Sequence, residues 1–448
     1  MKLNVFVNGR PVAVLDSPDG FAHVLTYRPE ATENDFVSLL MPVQTQSWVW
    51  PTLHPFFQMN LPEGFLLNVL KEQLGPHLGA QPLELLAVVG TNTIGRVQVS
   101  ASETLDPMGV PALDLAQLLH GDNSPAVFAA LVREYARSGV SGVVPKFLTP
   151  ETQVRLKKGS LTTDRYIIKG SSDRLPFVAL NEHLCMQVAR RTGYQTPNTR
   201  VSDDGQALVV ERFDIEHTTR KRLGFEDACS LLGLAPEDKY KSTWERVAKL
   251  TRQFVSDENM RRDQEQLAVT LLLTYALGNA DCHTKNLGYV YTSMRDVGVA
   301  PIYDMLSIRV YDFYADNPPG LFIDGRKTWT PGKTLWRVLQ QHFGIEPKQQ
   351  RELANKVVKA ISHVVPELIR RTKHTPGFNE IGARMLWEWD DGLRRLSERI
   401  TVPVPDIVAQ ATAAGITRPS RPAAYIPERV GESPLLASRR RKKPVPAS

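Results

Sequence analysis

The chain has 448 residues, of which 42% are hydrophobic and 23% charged, a balance typical of soluble globular proteins. At this length we expect two or three domains. No stretch approaches the roughly 18 consecutive apolar residues of a membrane span, and the N-terminus lacks the apolar segment of a signal peptide. Three cysteines without close spacing argue against a disulfide framework or a zinc ribbon, so a cytoplasmic protein is expected.

The formal net charge of +6 is concentrated at the C-terminal end. Residues 418–448 carry eight basic and two acidic residues, a surplus that equals the excess of the whole chain. The rest of the chain is formally neutral, which argues against a dedicated nucleic-acid-binding protein. Because the end is rich in Pro and Arg, we expect a basic, disordered tail over residues 406–448. Its run RRRKK could contact DNA phosphates weakly, or it is simply a solvated end.

The first segment has the pattern of a small β-rich domain. Two alternating apolar runs flank Asn8 and Gly9, which predicts a β-hairpin. FAHVLTY at 21–27 predicts a third strand, and LPEGFLLNVLKEQLG predicts a helix that ends at Gly75. ELLAVVGTNTIGRVQVS then predicts a helix end, a turn and a strand. We therefore expect an α+β domain over residues 1–105.

The pattern changes after residue 125. SGVSGVVPKFLTP at 138–150 is rich in small residues, YIIK predicts a strand, and LPFVALNEHLCMQVARRTG predicts a helix closed by Gly193. A hairpin is expected around Asp204 and Gly205. The chain after residue 225 is mostly helical, with amphipathic helices near 349–372 and 379–399.

The sequence GNADCHTKN places five potential ligands or proton carriers within six residues. A zinc site is a weak interpretation, because Asp281, Cys282 and His283 are adjacent and zinc ligands are usually separated by two or more residues. No second Cys/His pair completes such a site.

A phosphoryl-transfer loop fits the spacing better. Asp281 is followed after four residues by Asn286, which is the spacing of a catalytic Asp and a magnesium-binding Asn in protein kinases. Lys285 lies between them and could offset charge on the transferring phosphate. Asp304 follows 18 residues after Asn286, beyond a predicted hairpin and among apolar residues, and could supply a second metal ligand. By itself the spacing is weak, and Asp304 could instead cap a helix.

The remaining parts of an ATP site occur in the corresponding order. Lys169 ends a predicted strand, and Glu182 follows on the next helix where it could orient that lysine. Each has a simpler explanation, a solvated strand end for Lys169 and a helix-dipole carboxylate for Glu182. Further positions could hold adenine through the backbone or cover the phosphates with a flexible loop: Glu211 and Phe213 for adenine, and Ser138, Gly139, Ser141 and Gly142 for the loop.

Together these stretches resemble the HipA family of bacterial serine/threonine kinases, the toxin half of HipA–HipB toxin–antitoxin modules. The resemblance covers about residues 3–400 and is carried by LPEG, LLAVVGTNTIGRVQV, SGVSGVVPKF, YIIKG, NEHLCMQVARRTG, LVVERFD, GNADCHTKN and APIYDMLS. It implies a HipA-type N-terminal domain (1–105), a connector with a kinase N-lobe-like segment (106–225) and a helical C-lobe (226–405). The fold class expected is therefore α+β, with a bilobal kinase-like domain after the β-rich domain.

The resemblance also implies ATP and Mg²⁺ as cofactors. The implied roles are contact with the ATP phosphates for Lys169, adenine binding for Glu211 and Phe213, catalytic base for Asp281, and magnesium binding for Asn286 and Asp304. Family members phosphorylate a serine of their own Gly-rich loop, which switches activity off. Ser141 matches that motif's second serine, while Gly139 stands at the first with Ser138 beside it. Val144 replaces the usual Gln, and Asn92 replaces an acidic residue in the N-terminal domain.

The partners implied by the resemblance are a small helix-turn-helix antitoxin similar to HipB, which would bring the pair to DNA, and a protein substrate such as an aminoacyl-tRNA synthetase. Two alternatives remain open. Asp281-x-His283-x-x-Asn286 also resembles the catalytic loop of phosphoinositide kinases, although the sequence lacks a basic or amphipathic membrane-facing surface outside the tail. The chain could also be a catalytically silent module that binds an antitoxin and DNA.

Overall fold

A computed structural model describes most of the chain: residues 1–18, 20–61, 82–91, 93–105, 114–128, 159–162, 165–216, 218–219, 221–397 and 402–420. The helix predicted to end at Gly75, the small-residue loop at 138–150 and the run RRRKK lie outside the described residues.

The N-terminal domain is built on an antiparallel five-stranded sheet of order β4-β3-β2-β1-β5. Its strands are β1 Lys2–Val7, β2 Arg10–Asp16, β3 His23–Tyr27, β4 Trp48–Trp50 and β5 Val97–Ser100. The predicted hairpin is confirmed, because Asn8 and Gly9 both have positive φ (49° and 79°), as the tight turn between twisted strands requires. Leu3, Val5 and Val7 are buried on one face by the alternation that predicted the strand.

Two further sheets form the part of the chain after residue 158. An antiparallel four-stranded sheet has the order β6-β7-β9-β8, and a three-stranded sheet has the order β10-β11-β12. The strands are β6 Gly159–Thr162, β7 Tyr166–Gly170, β8 Thr199–Val201, β9 Ala207–Glu211, β10 Gly224–Asp227, β11 Gly288–Ser293 and β12 Asp296–Val299. The hairpin predicted around Gly205 joins β8 to β9.

Helices make up most of the rest. They are α1 Pro55–Gln58, α2 Pro82–Val89, α3 Leu115–His120, α4 Val178–Arg191, α5 Ala228–Leu231, α6 Trp244–Phe254, α7 Asp257–Ala276, α8 Lys333–Phe343, α9 Pro347–His374, α10 Asn379–Ser397 and α11 Ile407–Ala413. Helix α4 packs against the four-stranded sheet and α9, while α7, α9 and α10 pack on one another. The core to which these helices contribute also includes the buried Trp244 and Trp389. The predicted α+β class with a mostly helical C-terminal lobe is confirmed. In the part of the chain that the structure describes, no helix has the length and apolar character to cross a bilayer.

The helix α11 corrects the expected tail, which began at residue 406. Ile407 and Ala411 are fully buried, and the backbone N–H of Ile407 donates to Asp390 Oδ1 at 3.1 Å. The helix packs against α10. A short apolar pattern beside a Pro-rich stretch is a weak helix signal, and here tertiary packing stabilises the helix. Residues 421–448 lie outside the described part of the chain.

A buried ion pair joins the N-terminal domain to the rest of the chain. Arg212 and Asp214 are almost completely buried, with Nη2 and Oδ2 at 2.6 Å. The backbone N–H of Gly95 donates to Asp214 at 2.7 Å, and Arg212 donates to the carbonyl of Thr93 at 3.0 Å. Each charge is therefore paired and also bonded to backbone of the other domain, which is the condition under which burial of a charge is tolerated.

A second buried cluster lies beside the first. Glu226 on β10 accepts hydrogen bonds from the Ser38 hydroxyl at 2.8 Å, the Leu39 N–H at 2.6 Å and the Tyr291 hydroxyl at 3.0 Å. Arg96 lies over the Phe36 ring at 4.2 Å and donates to the Phe36 carbonyl at 3.0 Å. Burial raises the pKa of Glu226 to about 7. The contact between the domains is thus polar and closely packed, and it contains a carboxyl group that resists ionisation.

We expect Glu226→Gln to flatten the pH dependence of stability. The pKa of Glu226 is about 7 when folded and near 4.5 when unfolded, so its contribution is present below 4.5 and is lost as pH rises through 7. At pH 8 the variant should be more stable than the wild type by about 2–3 kcal/mol, because a neutral amide keeps the shape without the buried charge. Urea unfolding at pH 5, 6, 7 and 8 measures this difference.

The matched control is Glu352→Gln, which removes an exposed carboxylate on α9 and should leave the wild-type pH slope unchanged. Identical slopes for wild type and Glu226→Gln would contradict the assignment of this pH dependence to Glu226.

Candidate active site

The loop that carries Asp281 and Asn286 begins where α7 ends. Gly278 takes a left-handed conformation (φ 68°), which ends the helix without the strain that a side chain would add. The Asn279 side chain then accepts from the N–H of Asp281 at 3.1 Å, and the Asn286 side chain accepts from the N–H of His283 at 3.1 Å. Two asparagine side chains thus fold the loop locally and fix the backbone on which Asp281 and Asn286 lie.

Cys282 is a packing residue of this loop. It is buried, and burial raises the pKa of its thiol to about 12, so it remains a neutral thiol. Among the described residues, no group of three or more His, Cys, Asp or Glu side chains is arranged to hold a metal ion.

Asp304 follows the β11–β12 hairpin in an unusual conformation. Its φ is +55°, in the left-handed region that a non-glycine residue adopts at a cost of about 1 kcal/mol or more. The fully buried Asn181 of α4 fixes the next turn, since its amide donates to the Ser307 carbonyl at 3.0 Å and accepts from the Ser307 N–H at 2.9 Å. The segment is therefore tied to α4 beside Glu182, and no helix starts at Asp304.

Lys169 joins three chain segments through its ammonium group. Its Nζ lies 2.5 Å from Glu182 Oε1 and 2.7 Å from Asp304 Oδ1. The Glu182 side chain is only 2% exposed, and those of Lys169 and Asp304 are 16% and 21% exposed. The Asn286 amide donates to the other Asp304 oxygen at 2.5 Å. The structure therefore brings together four residues singled out from sequence, with one positive and two negative charges.

These residues fit a magnesium ion. Mg²⁺ prefers oxygen ligands from one or two carboxylates together with phosphate oxygens. Asp304 supplies a carboxylate that accepts from the Asn286 NH2, while the Asn286 amide oxygen accepts from the His283 N–H. The surplus negative charge of the cluster attracts a cation. The bond from the Lys169 ammonium to Asp304 shows that a cation is favoured at this carboxylate.

Glu211 and Phe213 lie where β9 ends, but one of their backbone groups is not available to hydrogen-bond adenine. The N–H of Glu211 already donates to the Asn198 carbonyl at 2.9 Å. The Phe213 ring packs on Tyr303 and Phe225, with centroid distances of 5.3 and 5.7 Å. The aromatic cluster forms an apolar surface at the end of the four-stranded sheet, which is the property that a base-binding wall needs.

Lys285 makes a contact that the sequence did not indicate. Its ammonium donates to the carbonyl of Met59, at the end of α1 in the N-terminal domain, at 3.3 Å. The hydroxyl of Tyr303 donates to the Lys285 carbonyl at 2.8 Å, and burial raises the pKa of Tyr303 well above its usual value, so this donor keeps its proton. The N-terminal domain thus contacts the catalytic loop directly. Ser138, Ser141 and Gly142 lie outside the described residues.

Tyr240 was missed by sequence reasoning. Its hydroxyl donates to Asp281 Oδ1, although the two residues are 41 positions apart. It lies between α5 and α6 in the stretch EDKYKST, which matches no motif for a site residue. Only the folded chain shows the contact.

Two protein-family models match the chain. The model of the HipA-like C-terminal domain matches residues 138–365, about half of the chain, and that of the HipA N-terminal domain matches residues 3–100. The chain belongs to the HipA family.

Several known proteins are similar to this HipA-family chain. A Sinorhizobium fredii protein named "Putative kinase Y4dM" is 27% identical over 346 residues, covering 69% of this chain and 78% of that protein. A second S. fredii protein, "Putative kinase Y4mE", is 27% identical over 334 residues. HipA of Shewanella oneidensis MR-1, solved with HipB and operator DNA, superposes with a TM-score of 0.61 at 18% identity, over 89% of this chain and 98% of that chain. The last comparison confirms the HipA fold.

We expect Lys169→Met to destabilise the fold by about 3 kcal/mol. The substitution keeps the length of the side chain but leaves the buried Glu182 carboxylate without its ammonium partner. Adding Glu182→Gln to this variant should restore at least half of the loss, because it removes the buried charge. Urea unfolding at pH 7 measures both effects.

Asp391, which pairs with Arg395, provides the control, since its side chain is 66% exposed and its removal should cost less than about 1 kcal/mol. A double variant no more stable than Lys169→Met would show that the loss does not come from the Glu182 charge.

Proposed function

We propose that this chain is an ATP- and Mg²⁺-dependent serine/threonine protein kinase of HipA type and the toxin of a toxin–antitoxin system. The observation that carries the proposal is the cluster of Lys169, Glu182, Asp304 and Asn286, with Asp281 on the same loop as Asn286. A phosphoryl-transfer enzyme needs one lysine for the phosphates, oxygen ligands for magnesium and an acidic residue for the acceptor hydroxyl. The relatives named as kinases support the same class of reaction.

Each residue has one task in this proposal. Lys169, oriented by Glu182, binds the ATP phosphates, and Asn286 and Asp304 would hold the magnesium ion. The ion, when bound, neutralises charge on the phosphate oxygens. Asp281 orients the acceptor hydroxyl and takes its proton while the hydroxyl oxygen bonds to the γ-phosphorus and the bond to ADP breaks. Lys285 offsets charge on the phosphoryl group as it passes to the acceptor.

The nucleotide site extends from this cluster to the end of β9. Phe213, packed on Tyr303, supplies the apolar wall for adenine. Because the N–H of Glu211 is already bonded to Asn198, other backbone groups form the hydrogen bonds to adenine. Ser141 and Gly142 cover the phosphates. Ser141 is the proposed autophosphorylation site, with Ser138 as the second candidate.

The proposed partners follow from the family. A small helix-turn-helix antitoxin similar to HipB binds the chain, as HipB accompanies HipA in the S. oneidensis complex with operator DNA. DNA is then reached through the antitoxin or weakly through the basic tail. The proposed substrate is a cytoplasmic protein of translation, such as an aminoacyl-tRNA synthetase.

Removing the Asp281 carboxylate should abolish the reaction. We expect Asp281→Ala to lower phosphate incorporation from labelled MgATP by about 10²–10⁴-fold, because the acceptor hydroxyl loses its base. Incorporation is measured by mass spectrometry of the peptide spanning 138–146 in wild type, Ser141→Ala, Ser138→Ala and Asp281→Ala chains. Asp391→Ala, a surface Asp on α10, is the control and should transfer phosphate at the wild-type rate.

The two alternatives predict different outcomes in this assay. No incorporation by the wild-type chain into itself, added protein or lipid would contradict a kinase and support a silent antitoxin-binding module. Incorporation only into phosphoinositide vesicles would support the lipid kinase.

The magnesium ligands can be tested apart from catalysis. We expect Asp304→Asn to raise the Mg²⁺ concentration needed for half-maximal binding of ATP at least about tenfold, since the site loses its carboxylate. Thermal unfolding in ATP with increasing Mg²⁺ measures this. Asp281→Ala should keep the wild-type thermal shift. An unchanged Mg²⁺ requirement in Asp304→Asn would contradict the assignment of Asp304.

A further inference from the structure

The hydroxyl of Tyr240 makes a side-chain contact with the proposed catalytic carboxylate. It donates to Asp281 Oδ1, and the residue lies on the segment between the turn Pro236–Asp238 and α6. A carboxylate on a loop rotates about its side-chain torsions unless a bond fixes its plane. A phenol that donates to one carboxylate oxygen supplies such a bond.

The segment that carries Tyr240 is attached to the catalytic loop itself. Both the N–H and the hydroxyl of Thr284 donate to the carbonyl of Lys239, at 3.2 and 3.0 Å. The Tyr240 ring meets the His283 ring edge-on, with centroids 4.9 Å apart. Tyr240 and Asp281 therefore belong to one assembly, and the hydroxyl is held relative to the loop that it contacts.

A third segment also contacts Tyr240. The ammonium of Lys327 donates to the Tyr240 carbonyl at 2.8 Å and lies over the Phe322 ring at 4.6 Å. Backbone bonds of 3.1 Å from the Phe322 N–H to Ser242 and from the Trp244 N–H to Phe322 attach this segment to the start of α6.

The same segment packs closely on the catalytic loop. A Cβ at Gly320 would lie 2.2 Å from the Cys282 carbonyl oxygen, so only glycine fits there. Tyr240 therefore lies on one segment and is hydrogen-bonded by a second, and both segments contact the loop of Asp281.

We propose that Tyr240 is a positioning residue for Asp281, and that Lys327 affects phosphate transfer only by holding Tyr240. The inference rests on the proposed kinase function and adds to it the group that orients its base. Positioning matters here because a displacement of about 1 Å at a reacting group lowers a rate by up to about 100-fold. The ATP phosphates contact other residues, so the loss should appear in kcat and not in nucleotide binding.

The first test is Tyr240→Phe in the full chain, which removes only the hydroxyl. We expect kcat for phosphate incorporation from MgATP to fall about tenfold, with the KM for MgATP and its thermal shift unchanged. Tyr194→Phe is the matched control, because the Tyr194 hydroxyl also donates to a carboxylate, Glu265 Oε2 at 3.0 Å, and lies outside the proposed site. An unchanged or increased kcat in Tyr240→Phe would overturn the proposal.

Double substitution tests the role of Lys327. We expect Lys327→Met to lower kcat several-fold in the wild-type chain but less than twofold in Tyr240→Phe, because its effect passes through the missing hydroxyl. Equal fold losses in both backgrounds would show that Lys327 acts independently of Tyr240.

A crystal structure of Tyr240→Phe separates this inference from the kinase function. We expect the Asp281 side chain to leave the rotamer that it has in a wild-type crystal. A wild-type chain that transfers no phosphate would refute the kinase, whereas an Asp281 rotamer unchanged by the substitution would refute the positioning role whether or not the chain is active.

Discussion

The ammonium of Lys169 is the interaction on which the rest of the site depends. It lies within 2.7 Å of carboxylates from two separate segments, Glu182 on α4 and Asp304 after the β11–β12 hairpin. Because Glu182 is buried, the ion pair has to be complete, and the sheet, the helix and the later segment must pack in one arrangement to complete it. That arrangement also holds Asp304 in its left-handed conformation, with Asn181 fixing the adjacent turn. The same contacts therefore stabilise the packing of these elements and position the side chains of the site.

The N-terminal domain is part of this arrangement. Its loop at Thr93 and Gly95 bonds the buried pair of Arg212 and Asp214, and its α1 places the Met59 carbonyl on Lys285. The backbone groups of Thr93 and Gly95 both belong to the stretch GTNTIGRVQV. Buried polar groups that are hydrogen-bonded across a boundary make the two parts cooperative, since separating the parts removes these bonds.

Local spacing was enough to predict several secondary-structure elements and several side chains of the cluster. Asn8 and Gly9 specify a hairpin because few residues accept positive φ, and Lys169 and Glu182 lie on consecutive elements where a strand end meets a helix start. Asp304 was singled out because a carboxylate among apolar residues needs a partner. The tail boundary at residue 406 was placed too early, because α11 is short and is stabilised mainly by packing on α10. The roles assigned to these residues in catalysis remain proposals.

The sequence by itself determined the α+β class through its periodicity and the family through the resemblance of its motifs, and its spacing predicted which side chains form the cluster around Asn286. Only the tertiary structure decided what surrounds that cluster. It brought the hydroxyl of Tyr240 to Asp281, the carbonyl of Met59 to Lys285 and the N–H of Gly95 to Asp214, across 41, 226 and 119 positions. Contacts of this kind join residues that have no pattern in common. They depend on how sheets and helices pack against one another, which local sequence does not encode.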